Sequence, residues 1–132
     1  MSGPRHGVVE HVSSLAFGPT LQRLKDRIAS AGMTVFACID HAAGAREVGM
    51  GMPPTVVLFY GHARGGTPIM LAAPQAALDL PLRVLAREDT DGRTVVSFRP
   101  VAQMLREAGV PDSLASRTEP AQQILVDAIA TA

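Results

Sequence analysis

Two stretches hold the residues best suited to chemistry. One is Ile39-Asp40-His41-Ala42-Ala43-Gly44-Ala45-Arg46-Glu47, and the other is Tyr60-Gly61-His62-Ala63-Arg64-Gly65-Gly66-Thr67-Pro68. Each reads as a strand running into a polar turn that opens a helix, the place where α/β proteins tend to put their binding groups. The amides of Gly65 and Gly66, with Thr67 at a helix start, can hold an anion, and the helix dipole adds about half a positive charge there. Arg64 can offer a fork of donors to a carboxylate or phosphate. His41 and His62 can add titratable donors, so affinity for an anion would fall as the rings lose their protons. The plainer reading of the same glycines is a capped turn that needs them only for backbone geometry.

Other chemistries compete for these side chains. Cys38 with a nearby histidine can form a thiolate–imidazolium pair. Asp40 with His41 can act as an acid–base pair, although Asp40 equally suits the N-cap of the following helix. Cys38, His41, His62 and the methionines Met50, Met52 and Met70 are all metal-ligand types. Positions three apart on a strand, such as Cys38 and His41, point to opposite faces. No second cysteine closes a tetrahedral set, so no metal site is expected. No cofactor is indicated. His6 and His11 read as solvent-exposed residues of the N-terminal segment.

The elements that must position these groups follow from periodicity. Gly7 to Val12 alternates weakly and predicts a first strand. Phe17, Leu21, Leu24 and Ile28 form one stripe of a helix over Phe17 to Ala31, stopped by Gly32. Met33 to Ile39 predicts a second strand, and Asp40 to Val48 a short helix or turn. Thr55 to Tyr60 is an unbroken apolar strand, which suggests burial on both faces and a central place in the sheet. Thr67 is then the expected N-cap and Pro68 the first helical residue, with Pro74 ending or kinking that helix. Leu80 to Glu88 and Arg93 to Phe98 flank Asp91-Gly92, a strong hairpin signal. Helices over Pro100 to Ala108 and from Glu119 to residue 131 complete the chain, the latter apolar along Ala121, Ile124, Leu125, Ala128 and Ile129. The fold class expected is α/β (α+β), a single mixed β-sheet of about five strands with helices packed against it.

A chain of 132 residues is read as a single domain, 1–132. Twelve basic and twelve acidic side chains cancel, and no basic run stands out, so nucleic acid is not an expected partner. Charged residues make up 18% of the chain against the usual ~25%, a balance that favours self-association through an apolar face. The longest apolar run, Val56 to Tyr60, is far too short to span a bilayer, and no signal-like run follows Met1. With one cysteine, Cys38, the expectation is a cytoplasmic protein without membrane attachment.

One set of residues carries a family likeness. It comprises Thr34 to Ala45, Pro54-Thr55 with the apolar strand after it, Tyr60-Gly61, Gly66-Thr67-Pro68-Ile69-Met70, Asp79-Leu80-Pro81-Leu82, and Glu88-Asp89 ahead of Asp91-Gly92. This pattern, over about residues 7–108, resembles the domain of unknown function 302 family. The resemblance implies a small α/β fold with helices against a sheet, a dimer, and no established reaction. His41 and Thr67 match the family pattern. The chain departs from it at His62-Ala63, where relatives often have Asn-Pro, at Arg87, often Trp, and at Phe98-Arg99-Pro100, a shortened turn. The functional expectation is a homodimer binding a small molecule, an anion, through His41, His62, Arg64, Gly65, Gly66 and Thr67. The alternatives are an enzyme using His41 with Asp40 or Cys38, and a structural or partner-binding dimer.

Overall fold

The computed structural model describes residues 7–130; His6 lies outside them. Five strands form one sheet: β1 (Val9–Val12), β2 (Thr34–Asp40), β3 (Thr55–Gly61), β4 (Leu82–Glu88) and β5 (Thr94–Phe98), in the order β1-β5-β4-β3-β2. The α+β class and the five strands are as expected. All four pairings are antiparallel, however, so the sheet is not mixed. The reason lies between β2 and β3. Helix α2 (His41–Glu47) spans about 10 Å, and after it the Met50 amide donates back to the Ala45 carbonyl at 2.9 Å, which folds the connection over at the Asp40 end of the sheet. The chain therefore turns back beside β2.

The helices cover one face. Val56, Leu58 and Tyr60 on β3, Val84 and Ala86 on β4, and Val96 on β5 point the same way and are buried. Against them pack Leu24 and Ile28 of α1 (Phe17–Ser30), Val101 and Leu105 of α4 (Val101–Glu107), Ala115 of the short α5 (Asp112–Ala115), and Leu125 and Ile129 of α6 (Glu119–Ala130). The alternate residues of β3, Val57 and Phe59, are only half-buried. The apolar run is therefore not buried on both faces. It lies one strand in from the edge, and β4 is the middle strand. On this second face the Arg83 guanidinium lies 5.0 Å from the Phe59 ring centre, and Arg87 reaches Glu10 at 3.4 Å.

Two polar anchors hold α6 in place. Gln122, inside the stripe that reads as apolar, is buried; its Oε1 accepts from the Val101 amide at 3.1 Å and its Nε2 donates to the Arg99 carbonyl at 2.8 Å. This satisfies an otherwise orphaned donor at the start of α4. Tyr60 donates its hydroxyl to the Ala121 carbonyl at 3.0 Å, tying α6 to β3. His11 is half-buried on β1 rather than exposed. The hairpin at Asp91-Gly92 forms as expected, with Gly92 at φ 78°. Strand β4 begins at Leu82, two residues later than the apolar pattern suggests, because Pro81 has no N–H for the ladder.

Candidate functional site

Strand β3 ends at Gly61, and His62 starts the next helix. That helix, α3, runs Ala63–Ala72, so it begins four residues before the expected cap at Thr67. His62 is the N-cap: its Nδ1 accepts from the Arg64 amide at 3.0 Å. The amides of Gly65 and Gly66 both donate to the His62 carbonyl at 3.0 Å. These are the amides that a phosphate-type nest would have to leave free, and here the helix uses them. Thr67 and Pro68 sit inside the helix. Two glycines cost a helix about 1 kcal/mol each relative to alanine. Burial of Ile69, 2% exposed, beneath the same helix is the compensating gain.

Beside this turn lies an open hollow of about 550 Å³. Its walls are hydrocarbon: Met33, Phe36, Ile69, Met70, Leu80, Pro81, Leu82 and Ala121. His62, Thr67, Arg117 and Thr118 supply polar groups, and Gly61, Ala63, Gly65 and Gly66 supply backbone surface. The Leu80-Pro81 peptide bond, in the wall, is cis. Phe36 reaches the hollow because the β2–β3 register shifts between Val35 and Ala37. Such a bulge turns one side chain out of the regular alternation, and Phe36 remains 54% exposed. A methyl added at Gly61 would lie 3.7 Å from the Phe36 ring and 3.9 Å from Pro81 Cβ, so the missing side chain leaves space between those two walls.

The other turn lies elsewhere. Asp40 pairs with Val56 at the beginning of β3, whereas Thr34 pairs with Gly61 at its end. His41 and His62 therefore occupy opposite ends of the sheet, roughly 20 Å apart at about 3.3 Å per residue. His41 is not part of the hollow's lining, and neither is Arg64, which is exposed. The antiparallel return separates what a parallel arrangement would have brought together. Asp40 caps α2, its Oδ1 accepting from the Ala43 amide at 2.9 Å. Cys38 is exposed on the edge strand β2, not buried. Among the described residues no group of three His, Cys, Asp or Glu side chains gathers at one point.

Sequence reasoning missed Phe36, Met33 and the Arg117–Thr118 segment. Arg117 lies far along the chain in a short 3₁₀ turn (Ser116–Thr118), and no local pattern ties it to His62. The run Asp79-Leu80-Pro81-Leu82, singled out for its family likeness, was the available signal. It contributes Leu80, Pro81 and Leu82 to the walls.

A five-stranded antiparallel sheet with helices on one face, and a mainly apolar hollow at one end, define a small two-layer α+β domain. The family model described as "Domain of unknown function DUF302" matches residues 9–132, and the chain belongs to that family. The fold is similar to the crystal structure of an uncharacterized conserved DUF302 protein from Bacillus stearothermophilus, with TM-score 0.80 and 13% identity, covering 95% of this chain and 97% of that one. Two curated relatives are named fluoride-specific ion channel FluC 1. The one from Brucella suis biovar 1 (strain 1330) is 40% identical over 87 residues, covering 66% of this chain and 34% of the relative. The one from Brucella abortus biovar 1 (strain 9-941) is 40% identical over 87 residues, covering 66% and 32% respectively. The chain thus spans about a third of the length of these relatives. Among the described residues no helix is long and apolar enough to cross a membrane.

Proposed function

We propose that this chain binds a small, mainly apolar molecule in the hollow at the His62 end of the sheet, as a cytoplasmic homodimer. The observation carrying this reading is the hollow itself. Its volume of about 550 Å³ falls in the usual range for ligand sites, roughly 300–1,000 Å³, and hydrocarbon walls with a few polar groups are their common composition. The binding residues in this reading are His62, Gly65, Gly66 and Thr67 from the initial set, joined by Phe36 and Arg117. An anion held by the glycine amides loses its support, since the His62 carbonyl occupies both.

The dimer is supported by the helix-free sheet face. Val12 is 54% exposed and Ile39 43% exposed there, flanking the half-buried Val57, Phe59 and Leu85. Sedimentation of Ile39→Glu checks this: the wild type is expected at twice the 13.9 kDa chain mass and the variant near the single-chain mass. The exposed free thiol of Cys38 suits a reducing compartment. An enzyme built on His41 with Asp40 or Cys38 has less behind it, because Asp40 is already committed as a helix cap.

Titration with the neutral fluorescent probe N-phenyl-1-naphthylamine tests the site. Saturable binding is expected for the wild type and for His41→Ala. Ala121→Phe, which fills the hollow with a ring, should weaken it about tenfold or more while the circular dichroism spectrum is retained. Equal binding by Ala121→Phe would remove the proposal.

A second reading follows from the likeness to channel proteins. With no helix among the described residues able to cross a membrane, this domain would serve beside a fluoride-conducting partner or domain, which would hold the spanning segments. Calorimetric titration of the isolated chain with sodium fluoride would support an ion-responsive role if heat of binding appears, and count against it if none does.

A further inference from the structure

Resting on the reading of the hollow as a ligand site, we infer that its ligand is an amphipathic monoacid: a hydrocarbon body of up to roughly 18 non-hydrogen atoms, carrying one carboxylate that docks on Arg117. That size is the part of a ligand the open hollow can enclose, from about 550 Å³ of space and about 30 Å³ per water-sized group. The hydrocarbon body follows from the walls, where Met33, Phe36, Met70 and Leu80 offer no hydrogen bond.

The acid follows from charge. Arg117 is the one formally charged residue in the lining, and no carboxylate stands among the lining residues to neutralise it. It is exposed and has no ion pair among the described residues. A planar guanidinium suits a carboxylate through two parallel hydrogen bonds. His62 adds a second donor. Its Nδ1 accepts from the Arg64 amide, so the ring proton of the neutral imidazole sits on Nε2 and is free to be given. The Thr118 hydroxyl donates to the Ala115 carbonyl at 2.7 Å and is committed. The N-terminus of α3, ten residues long, opens at the same wall and adds positive potential. An organic cation would be repelled by Arg117, and a polyhydroxylated ligand would meet too few polar partners.

Calorimetric titration with decanoic acid and decanamide, both below their solubility limits, isolates the head group at constant chain length. The wild type should prefer the acid about tenfold. Arg117→Gln should remove that preference by weakening the acid more than the amide, and Ala121→Phe should weaken both. Equal affinity for the two probes, unaffected by Arg117→Gln, would overturn the acid while leaving the apolar site standing. A preference for the acid that survives Arg117→Gln would overturn the role of Arg117. No binding of either probe to the wild type would count against the hollow itself, and the acid inference would fall with it.

Discussion

The two histidine turns look alike in sequence and differ in everything the fold adds. Asp40-His41 and Gly61-His62 both end a strand, and both open a helix. Each is capped by a side chain: Asp40 reaches the amide three residues on, His62 the amide two residues on. At the Asp40 end the cap stands at the exposed end of the edge strand β2. At the His62 end the cap stands against a hollow walled by β2, by the segment before β4, and by α6. The lesson is that a polar turn becomes a site only when distant elements enclose space beside it.

The sharpest way to break the contrast is to loosen the enclosure. Tyr60→Phe removes the hydrogen bond that ties α6 to β3 and leaves the Ala121 carbonyl without that partner. A loss of about 1–3 kcal/mol is expected in urea denaturation, together with weaker binding of the naphthylamine probe. Burial holds the Tyr60 hydroxyl well above the ordinary tyrosine range. It stays protonated in the folded chain after the unfolded chain has ionised. Stability should therefore decline as pH rises beyond about 10, and Tyr60→Phe should blunt that decline.

A milder test removes each cap. Asp40→Ala should cost about 1 kcal/mol and leave probe binding unchanged. His62→Ala should cost a similar amount and also weaken binding of decanoic acid, because it deletes a lining donor. If both variants bound equally well, the distinction between the two ends would collapse.

The smallest effect is expected at the β4–β5 turn, which lies at the same end of the sheet as His41. The backbone N–H of Arg93 is the main cause holding the Asp89 carboxyl below the usual carboxylate range, with the Asp91 amide and the Arg93 guanidinium assisting and desolvation opposing. A lowered folded value stabilises above the unfolded value, about 3.9, and that contribution is lost as pH falls through the folded one. Asp89→Asn should show a shallower acid limb in thermal unfolding, with the alkaline limb unchanged.

Local pattern made the elements legible. The Leu24 and Ile28 stripe of α1, the alternating and apolar strands, and Asp91-Gly92 of the hairpin could each be read from neighbours within a few positions. The start of α3 could not. Gly65-Gly66-Thr67-Pro68 has the chemistry of a cap, and burial of Ile69 pulled it into a helix instead. The Phe36 bulge was likewise invisible, since register depends on the partner strand.

By itself, the sequence determined the order of the main helices and strands, the apolar residues able to make a core, and the family to which the chain belongs. Only the tertiary structure decided that β3 returns antiparallel to β2. That one choice sends His41 to one end and His62 to the other, and it leaves Phe36, Leu80 and Arg117 to surround the second. Spacing along a chain governs hydrogen bonds between near neighbours. The enclosure of space depends on pairings between residues far apart, which no local pattern encodes.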